Sequence, residues 1–258
     1  MNNNIWHPKQ KPISSLASLS GGAGGMMYGG VDQDYSVEFD GSNDRLLIDI
    51  TDSSMDFADD GAFTFECFIY LDSLQNGSNG YQSIAGRWEG TGSHYCWLTD
   101  IEPNGKWTWY YSDTGGSSIY SFATPTGTIS AQTWHHIACV KNGSSGRLLV
   151  DGSQAAYKSD FNKGNSDSTQ DLCIGDNIDN FTSPWDGKIS NLRWTTGQAL
   201  YGSTYGVPTE PLTTTSQGAT ASNVKILCCN EDTPTGSTKT NGTITNPNGA
   251  TTSTDNPF

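Results

Sequence analysis

Residues 133–153, T-W-H-H-I-A-C-V-K-N-G-S-S-G-R-L-L-V-D-G-S, constrain the fold more than any other stretch. Residues 134–141 are rich in aromatic, Ile and Val side chains, which suit a pleated, half-buried strand. Alternation puts Ala138 and Val140 on one side of that strand and Ile137 and Cys139 on the other. Asn142-Gly143-Ser144-Ser145-Gly146 then supplies residues that tolerate positive φ, which predicts a turn over all five. Residues 147–150 resume an apolar run, and Asp151-Gly152 closes it. Local chemistry alone makes this a β-hairpin.

The rest of the chain reads the same way. Thirty glycines and ten prolines in 258 residues, with many Ser, Thr and Asn, predict many turns and few helices. Short strand-like runs fall at 35–39, 46–50, 63–71, 83–87, 95–100, 106–112, 119–122, 171–175 and 187–194, with turn residues between them. That spacing indicates a sandwich or jelly roll. Hydrophobic content of 34% is low, but eight Trp, eleven Tyr and nine Phe offset it, because each aromatic buries a large area. A thin core between two sheets is expected.

The net charge of −14 disfavours nucleic acid and anionic membranes as partners. No run is long enough to cross a bilayer, and the first residues carry no apolar core of a signal peptide. A chain that is not secreted by a cleaved signal is therefore expected. Of the six cysteines, Cys67, Cys139 and Cys173 sit in apolar strand-like runs and read as buried thiols. Cys228 and Cys229, as strand neighbours, are expected to point to opposite faces.

Several segments resemble one family. Trp134-His135-His136-Ile137-Ala138, a turn, then Leu148-Leu149-Val150-Asp151-Gly152 resembles the core hairpin of the laminin-G-like, or concanavalin-A-like, lectin/glucanase jelly roll (W-H-H-V-A, then L-Y-V-D-G). Tyr35 through Asp44 is similar to its opening strand, and Phe63-Thr64-Phe65-Glu66-Cys67-Phe68-Ile69-Tyr70 to its F-T-I-E-A-W-V-Y strand. Leu172-Cys173-Ile174-Gly175 and Trp185-Asp186-Gly187-Lys188-Ile189-Ser190-Asn191-Leu192-Arg193 are similar to its later I-G and F-x-G-x-I-D-E-V-R segments. The resemblance implies an all-β, two-sheet antiparallel jelly-roll sandwich over 34–230. An extended N-terminal docking arm (1–33) and an extended C-terminal tail (231–258) flank it. It does not fix function, because this fold carries lectins, glycosidases, adhesins and structural modules.

Residues 1–33 are too rich in glycine and proline to form a domain, yet they hold Ile5, Trp6, Leu16, Leu19, Met26, Met27 and Tyr28. A solvated linker does not need so many large apolar residues, so docking on a partner is expected. Residues 231–258 are Thr, Asn, Gly and Pro with almost no large apolar residue, and alone they should be disordered. Their ordering is expected to need a partner surface. Ala199-Leu200-Tyr201, Ser203, Tyr205 and Pro208-Thr209-Glu210-Pro211-Leu212-Thr213 are very similar to an A-L-Y-x-S-x-(F/Y)-x-x-P-T-x-P-L-T segment. That segment follows the jelly roll in tail and virion-surface proteins of marine bacteriophages. Residues 224–230 look like that group's closing strand.

Candidate chemistry is sparse. Glucanases of this fold carry E-x-D-x-x-E on one strand, because period-two spacing turns the carboxylates into one cleft. The nearest match, Glu38-Phe39-Asp40-Gly41-Ser42-Asn43, ends in Asn at the general-acid position and lies on the opening strand. No catalytic residue is assigned. In related jelly rolls the segments holding Asp40, Asn43, Asp44 and Asp186 approach one another near a calcium, and hard oxygen ligands suit that ion. The competing reading makes residues 40–43 a turn closed by local side-chain hydrogen bonds. Asp176, Asn177, Asp179 and Asn180 read as a solvated acidic loop. Trp107, Trp109 and Tyr111 fall at period two, either as a sugar-stacking platform or as inner-face core; Trp88 and Trp185, on loops, are better placed for exposure. His135 and His136 point to opposite faces and pack rather than share a metal.

The expected function is a non-enzymatic bacteriophage virion protein (capsid decoration, head-fibre or tail-associated) displaying a lectin-like jelly roll on the particle. Its terminal arms would bind other virion proteins, and its copies would form a homo-oligomer. The alternative is an adhesin that recognises a host surface glycan, with calcium as its one cofactor. A glycoside hydrolase is the third reading.

Overall fold

The computed structural model describes residues 34–50, 52–75, 80–89, 94–113, 118–163, 170–177 and 183–258. The docking arm and its seven apolar residues lie outside the described residues, as do Asp179 and Asn180. In chain order the strands are β1 (Ser36–Asp40), β2 (Leu46–Ile48), β3 (Ala62–Leu71), β4 (Gln82–Glu89), β5 (His94–Ile101), β6 (Trp107–Ser112), β7 (Ile119–Ala123) and β8 (His135–Asn142). They continue as β9 (Ser145–Val150), β10 (Ser153–Lys158), β11 (Leu172–Ile174), β12 (Asp186–Thr196), β13 (Val224–Cys228), β14 (Ser237–Lys239), β15 (Ile244–Thr245) and β16 (Thr251–Ser253).

They form two antiparallel sheets. One has nine strands, seven in the order β10-β9-β8-β3-β12-β1-β16 with β13 and β14 branching from β12, and the other has seven in the order β15-β2-β11-β4-β5-β6-β7. The long β12 serves two neighbours on one edge. Residues 186–189 pair with β1, a bulge follows at the left-handed Asn191, and 192–195 pair with β13, which carries β14. The bulge interrupts the ladder to β3 between Ser190 and Arg193, after which pairing with β3 resumes while the partner on the other edge has changed.

Alternation sorts the side chains as expected. Ile137 and Cys139 face the inter-sheet core, while Ala138 and Val140 face the outer side of the nine-stranded sheet. Between the sheets the filling is aromatic. Trp97 stacks on Trp109 at 5.0 Å and on Trp194 at 5.1 Å, and Trp194 stacks on Phe63 at 4.6 Å. Trp97 and Trp109 come from one sheet and Trp194 and Phe63 from the other, so this column joins the two layers. It explains how a chain of low hydrophobic content closes a core.

Three expectations are corrected. The β8–β9 turn is tighter than five residues: Asn142 pairs with Ser145, and Ser145 and Gly146 already belong to β9. Gly146 serves close packing, not a turn; a Cβ there would lie 2.3 Å from the Phe161 ring. Cys228 and Cys229 do not diverge. β13 ends at Cys228, Cys229 takes a left-handed φ of 60°, and the two sulfurs lie 3.8 Å apart. The C-terminal tail is extended but needs no foreign surface, because β14 and β16 extend the nine-stranded sheet and β15 edges the seven-stranded one.

Candidate functional site

The outer face of the nine-stranded sheet is covered over β8 and β9. The chain after β12 returns across it, and Tyr201, 5% exposed, packs with Leu200 and Tyr205 on Ala138, Val140 and Leu149. Beneath this strap lies a buried polar network. Arg193 grips Glu66 through Nε (2.9 Å) and Nη2 (2.6 Å) and donates through Nη1 to the Thr213 and Ser216 carbonyls. Tyr201 donates its hydroxyl to Glu66 Oε2 at 2.5 Å, and His136 Nε2 lies 3.3 Å from that oxygen. His136 Nδ1 is hydrogen-bonded to the Tyr205 hydroxyl. Burial pushes the Glu66 carboxyl up, but His136, Arg193 and Tyr201 outweigh it and hold it below the usual glutamate value. His135, on the other side of β8, pairs with Asp151 at 2.7 Å and with the Ser130 hydroxyl at 2.9 Å. This network is buried beneath the strap, and within it His136 Nε2 approaches Glu66 without making a hydrogen bond.

An acidic pocket of about 630 Å³ opens beside β1 and β12, where Glu38, Asp40, Asp44, Asp72 and Asp186 come together against the tail. Three of the four residues expected near calcium therefore meet here; Asn43 does not line the pocket. One oxygen of each of the three carboxylates is engaged. Asp40 Oδ1 accepts from the Ser42 amide (2.9 Å) and the Asn43 amide (3.4 Å), closing the turn that the sequence offered as the competing reading. Asp44 Oδ2 accepts from the Asp40 amide at 3.2 Å, and Asp186 Oδ2 accepts from the Ser73 hydroxyl at 2.9 Å. Among the described residues, no group of three or more His, Cys, Asp or Glu is placed to hold a metal ion. The donor set has the chemistry that suits calcium.

The proposed aromatic platform divides in two. Trp107, Trp109 and Tyr111 face the core, and Trp185 is fully buried as well. For Trp107, Trp109 and Tyr111 the inner-face core reading holds, because inward-facing aromatics on a sandwich strand are consumed by the opposite sheet. Trp185, expected to be exposed on a loop, is corrected to core, and Trp88, also expected on a loop, lies on β4. Trp88 is different. It lies on the open outer face of the seven-stranded sheet, against Tyr95 at 4.7 Å and Tyr110 at 6.3 Å. Together with Tyr81, Leu98, Asp100, Asn177 and Ser183 it lines a shallow pocket of about 240 Å³.

The pocket follows from strand register. Gly86 pairs with Leu98, and Leu98 with Tyr110, so β4, β5 and β6 bring their outward side chains into one row. A Cβ at Gly86 would meet Leu98 Cδ1 at 2.6 Å, so glycine is what lets the Leu98 side chain lie flat across β4. Asp100 forms part of the floor. It is 5% exposed, and its Oδ1 has no hydrogen-bond partner. Burial pushes its carboxyl up to about 7, opposed by Ser83 and reinforced by Asp176 and Glu102. Asp176, read as solvated, is fully buried instead; its Oδ1 accepts from the Asn177 and Ser183 amides and so shapes the pocket's far rim.

Sequence reasoning reached Trp88 and missed Asp100 and Tyr110. A signal existed for Tyr110: once Trp109 and Tyr111 face inward, the residue between them faces out. Nothing marked Asp100, which looks like an ordinary polar strand residue until its burial is known.

A family model described as the concanavalin A-like lectin/glucanases superfamily matches residues 40–200. A candidate carbohydrate-binding protein from Bacteroides ovatus ATCC 8483 superposes with a TM-score of 0.55 at 17% identity. The match covers 85% of this chain and 59% of that one. The heptameric SAP-like pentraxin of Limulus polyphemus gives 0.48 at 15% identity, over 85% and 94% of the two chains. The CBM40 of a Ruminococcus gnavus sialidase gives 0.48 at 13%, over 64% and 91%. At such identities the likeness is one of fold. No curated protein sequence matches the chain.

Proposed function

Because the chain belongs to the concanavalin A-like lectin/glucanases superfamily, we propose that it is a non-enzymatic saccharide-binding module whose ligand seats in the Tyr81–Trp88–Tyr110 pocket. One observation carries this reading: partly exposed aromatic walls stand over a buried acid that has an unpartnered oxygen. A pyranose matches both halves of that surface. Its C–H face stacks on aromatic rings, and its hydroxyls satisfy buried polar atoms that otherwise cost about 1–3 kcal/mol each. The Bacteroides relative of the same fold is itself named for carbohydrate binding. Against hydrolysis, Asn43 stands where a general acid is needed, and the Asp40 carboxylate is held by its own turn.

The test is a glycan array and titration calorimetry with the full chain, with and without calcium. A saccharide should bind, and Trp88→Ala and Tyr110→Ala should each weaken it by about 10–100-fold, as loss of an aromatic anchor does. Binding should survive chelation, since among the described residues no group of three or more His, Cys, Asp or Glu is placed to hold a metal ion. Absence of binding across the array, or a Trp88→Ala protein that binds like the parent, overturns the reading.

A second reading places this module on a bacteriophage particle. It rests on the Ala199–Thr213 resemblance, which is independent of the pocket. In it the particle displays the open sheet outward, and residues 1–33 attach to a capsid, portal or tail partner. Particles labelled with antibody to this chain support it; a chain that neither labels nor co-sediments with particles removes it.

A further inference from the structure

The charge around the aromatic pocket selects among saccharides. Resting on the reading of this pocket as a sugar site, we infer that it accepts one uncharged pyranose at a chain end and excludes carboxylated and sulfated saccharides, with Asp100 as the discriminating residue. Size sets the first half. About 240 Å³ falls below the ~300–1,000 Å³ that holds a drug-sized ligand, which leaves room for one ring.

Sign sets the second half. No described Lys, Arg or His side chain lines the pocket. The acid on its floor is backed by two more carboxylates, Asp176 from the rim loop and Glu102 from the end of β5. Two described cations act on those acids. Lys106 pairs with Glu102 at 2.7 Å, and Arg45 acts on Asp176, holding its carboxyl down against the burial that raises it to about 6. Tyr110 and Tyr81 bring hydroxyls but no positive charge. An anionic sugar entering here meets Asp100 across a partly desolvated gap with no cation among the described lining residues to neutralise it, where like charges repel several times more strongly than in water. A neutral sugar meets the same acid as a hydrogen-bond partner for its hydroxyl.

The experiment measures the full chain at about pH 8 against neutral pyranose-terminated glycans and their uronic-acid and sulfated counterparts. Neutral glycans should bind about tenfold more tightly than the charged ones, the cost of protonating Asp100 one pH unit above the value of about 7 to which burial pushes it. Asp100→Asn keeps an acceptor oxygen and removes the charge; because Asp100 belongs to the site it should weaken neutral binding, and it should still shrink the gap between neutral and charged glycans. The unmodified chain gives a second readout that needs no variant: raising salt should tighten binding of charged glycans and leave neutral ones unchanged, since screening weakens repulsion. Charged glycans that bind as tightly as neutral ones overturn this inference and leave the sugar site standing. Failure of every saccharide overturns both.

Discussion

Two tryptophans of the seven-stranded sheet separate recognition from stability. Trp109 is fully buried between Trp97, Phe63 and Phe65, whereas Trp88 keeps part of its ring open. Trp109→Ala should cost about 3–5 kcal/mol, the range for emptying a large aromatic site. Trp88→Ala should cost about 1 kcal/mol or less while it removes sugar binding, because surface substitutions seldom exceed that. Urea midpoints of the two variants check the contrast. Asp100 adds a pH dependence. Its carboxyl titrates at 3.8 when unfolded and at about 7 when folded. Below 3.8 both states hold the proton; between the two values only the folded state does. The stabilisation is thus full below the lower value and is lost as pH rises through the upper one, at up to ~1.4 kcal/mol per pH unit. Glu66 works oppositely: its depressed pKa gives stability above about 4.5 that is lost on acidification. The melting temperature should therefore be higher near pH 5 than near pH 8. Asp100→Asn should flatten that fall, and an equally steep fall in the variant would show that other groups cause it.

At the scale of elements, the strap over the nine-stranded sheet shows what the sequence could and could not reveal. The β8–β9 hairpin, β3 and β12 were legible because apolar alternation, turn residues and family-like segments all agreed there. The A-L-Y…P-L-T segment was legible only as a resemblance. Its physical role, two stacked tyrosines (4.1 Å apart) sealing Glu66, Arg193 and His136, needed contacts between residues more than 60 positions apart. The pocket was half-legible for a related reason. Period two says which residues share a face, but not which face the second sheet will cover. Removing the Glu66 carboxylate leaves Arg193 buried without its counter-charge. Glu66→Ala should accordingly cost about 3–5 kcal/mol, the penalty for breaking a buried pair. Tyr201→Phe removes one hydrogen bond to a charged group and should cost about 1.5–3 kcal/mol. Thermal melts of both variants give the order; a Glu66→Ala protein as stable as Tyr201→Phe would mean that the network is not electrostatically coupled.

For the whole molecule, the C-terminal tail matters most, because composition pointed away from order. Only Ile244 and Ala250 in it are buried apolar residues. The tail is held by backbone pairing and by short polar side chains. Thr243 accepts the Asp49 amide, Asn246 closes a turn onto Gly249 and Ala250, and Asn256 reaches the Asp34 carbonyl at 2.6 Å. Phe258 ends it edge-on against Phe68, 5.0 Å away. These residues cover the outer edges of β1, β2 and β13 and so touch both sheets. A chain cut after Asn230 exposes those edges as unpaired strands, which favour edge-to-edge association. At ~0.5–1.5 kcal/mol net per hydrogen bond, losing a handful of them costs about 3–6 kcal/mol. For a domain of this size that lowers the melting temperature by about 10 °C or more. The shortened chain should melt earlier and sediment as aggregates while the intact chain does not. If it melts with the intact chain, the tail is a passive cover and the sandwich closes without it.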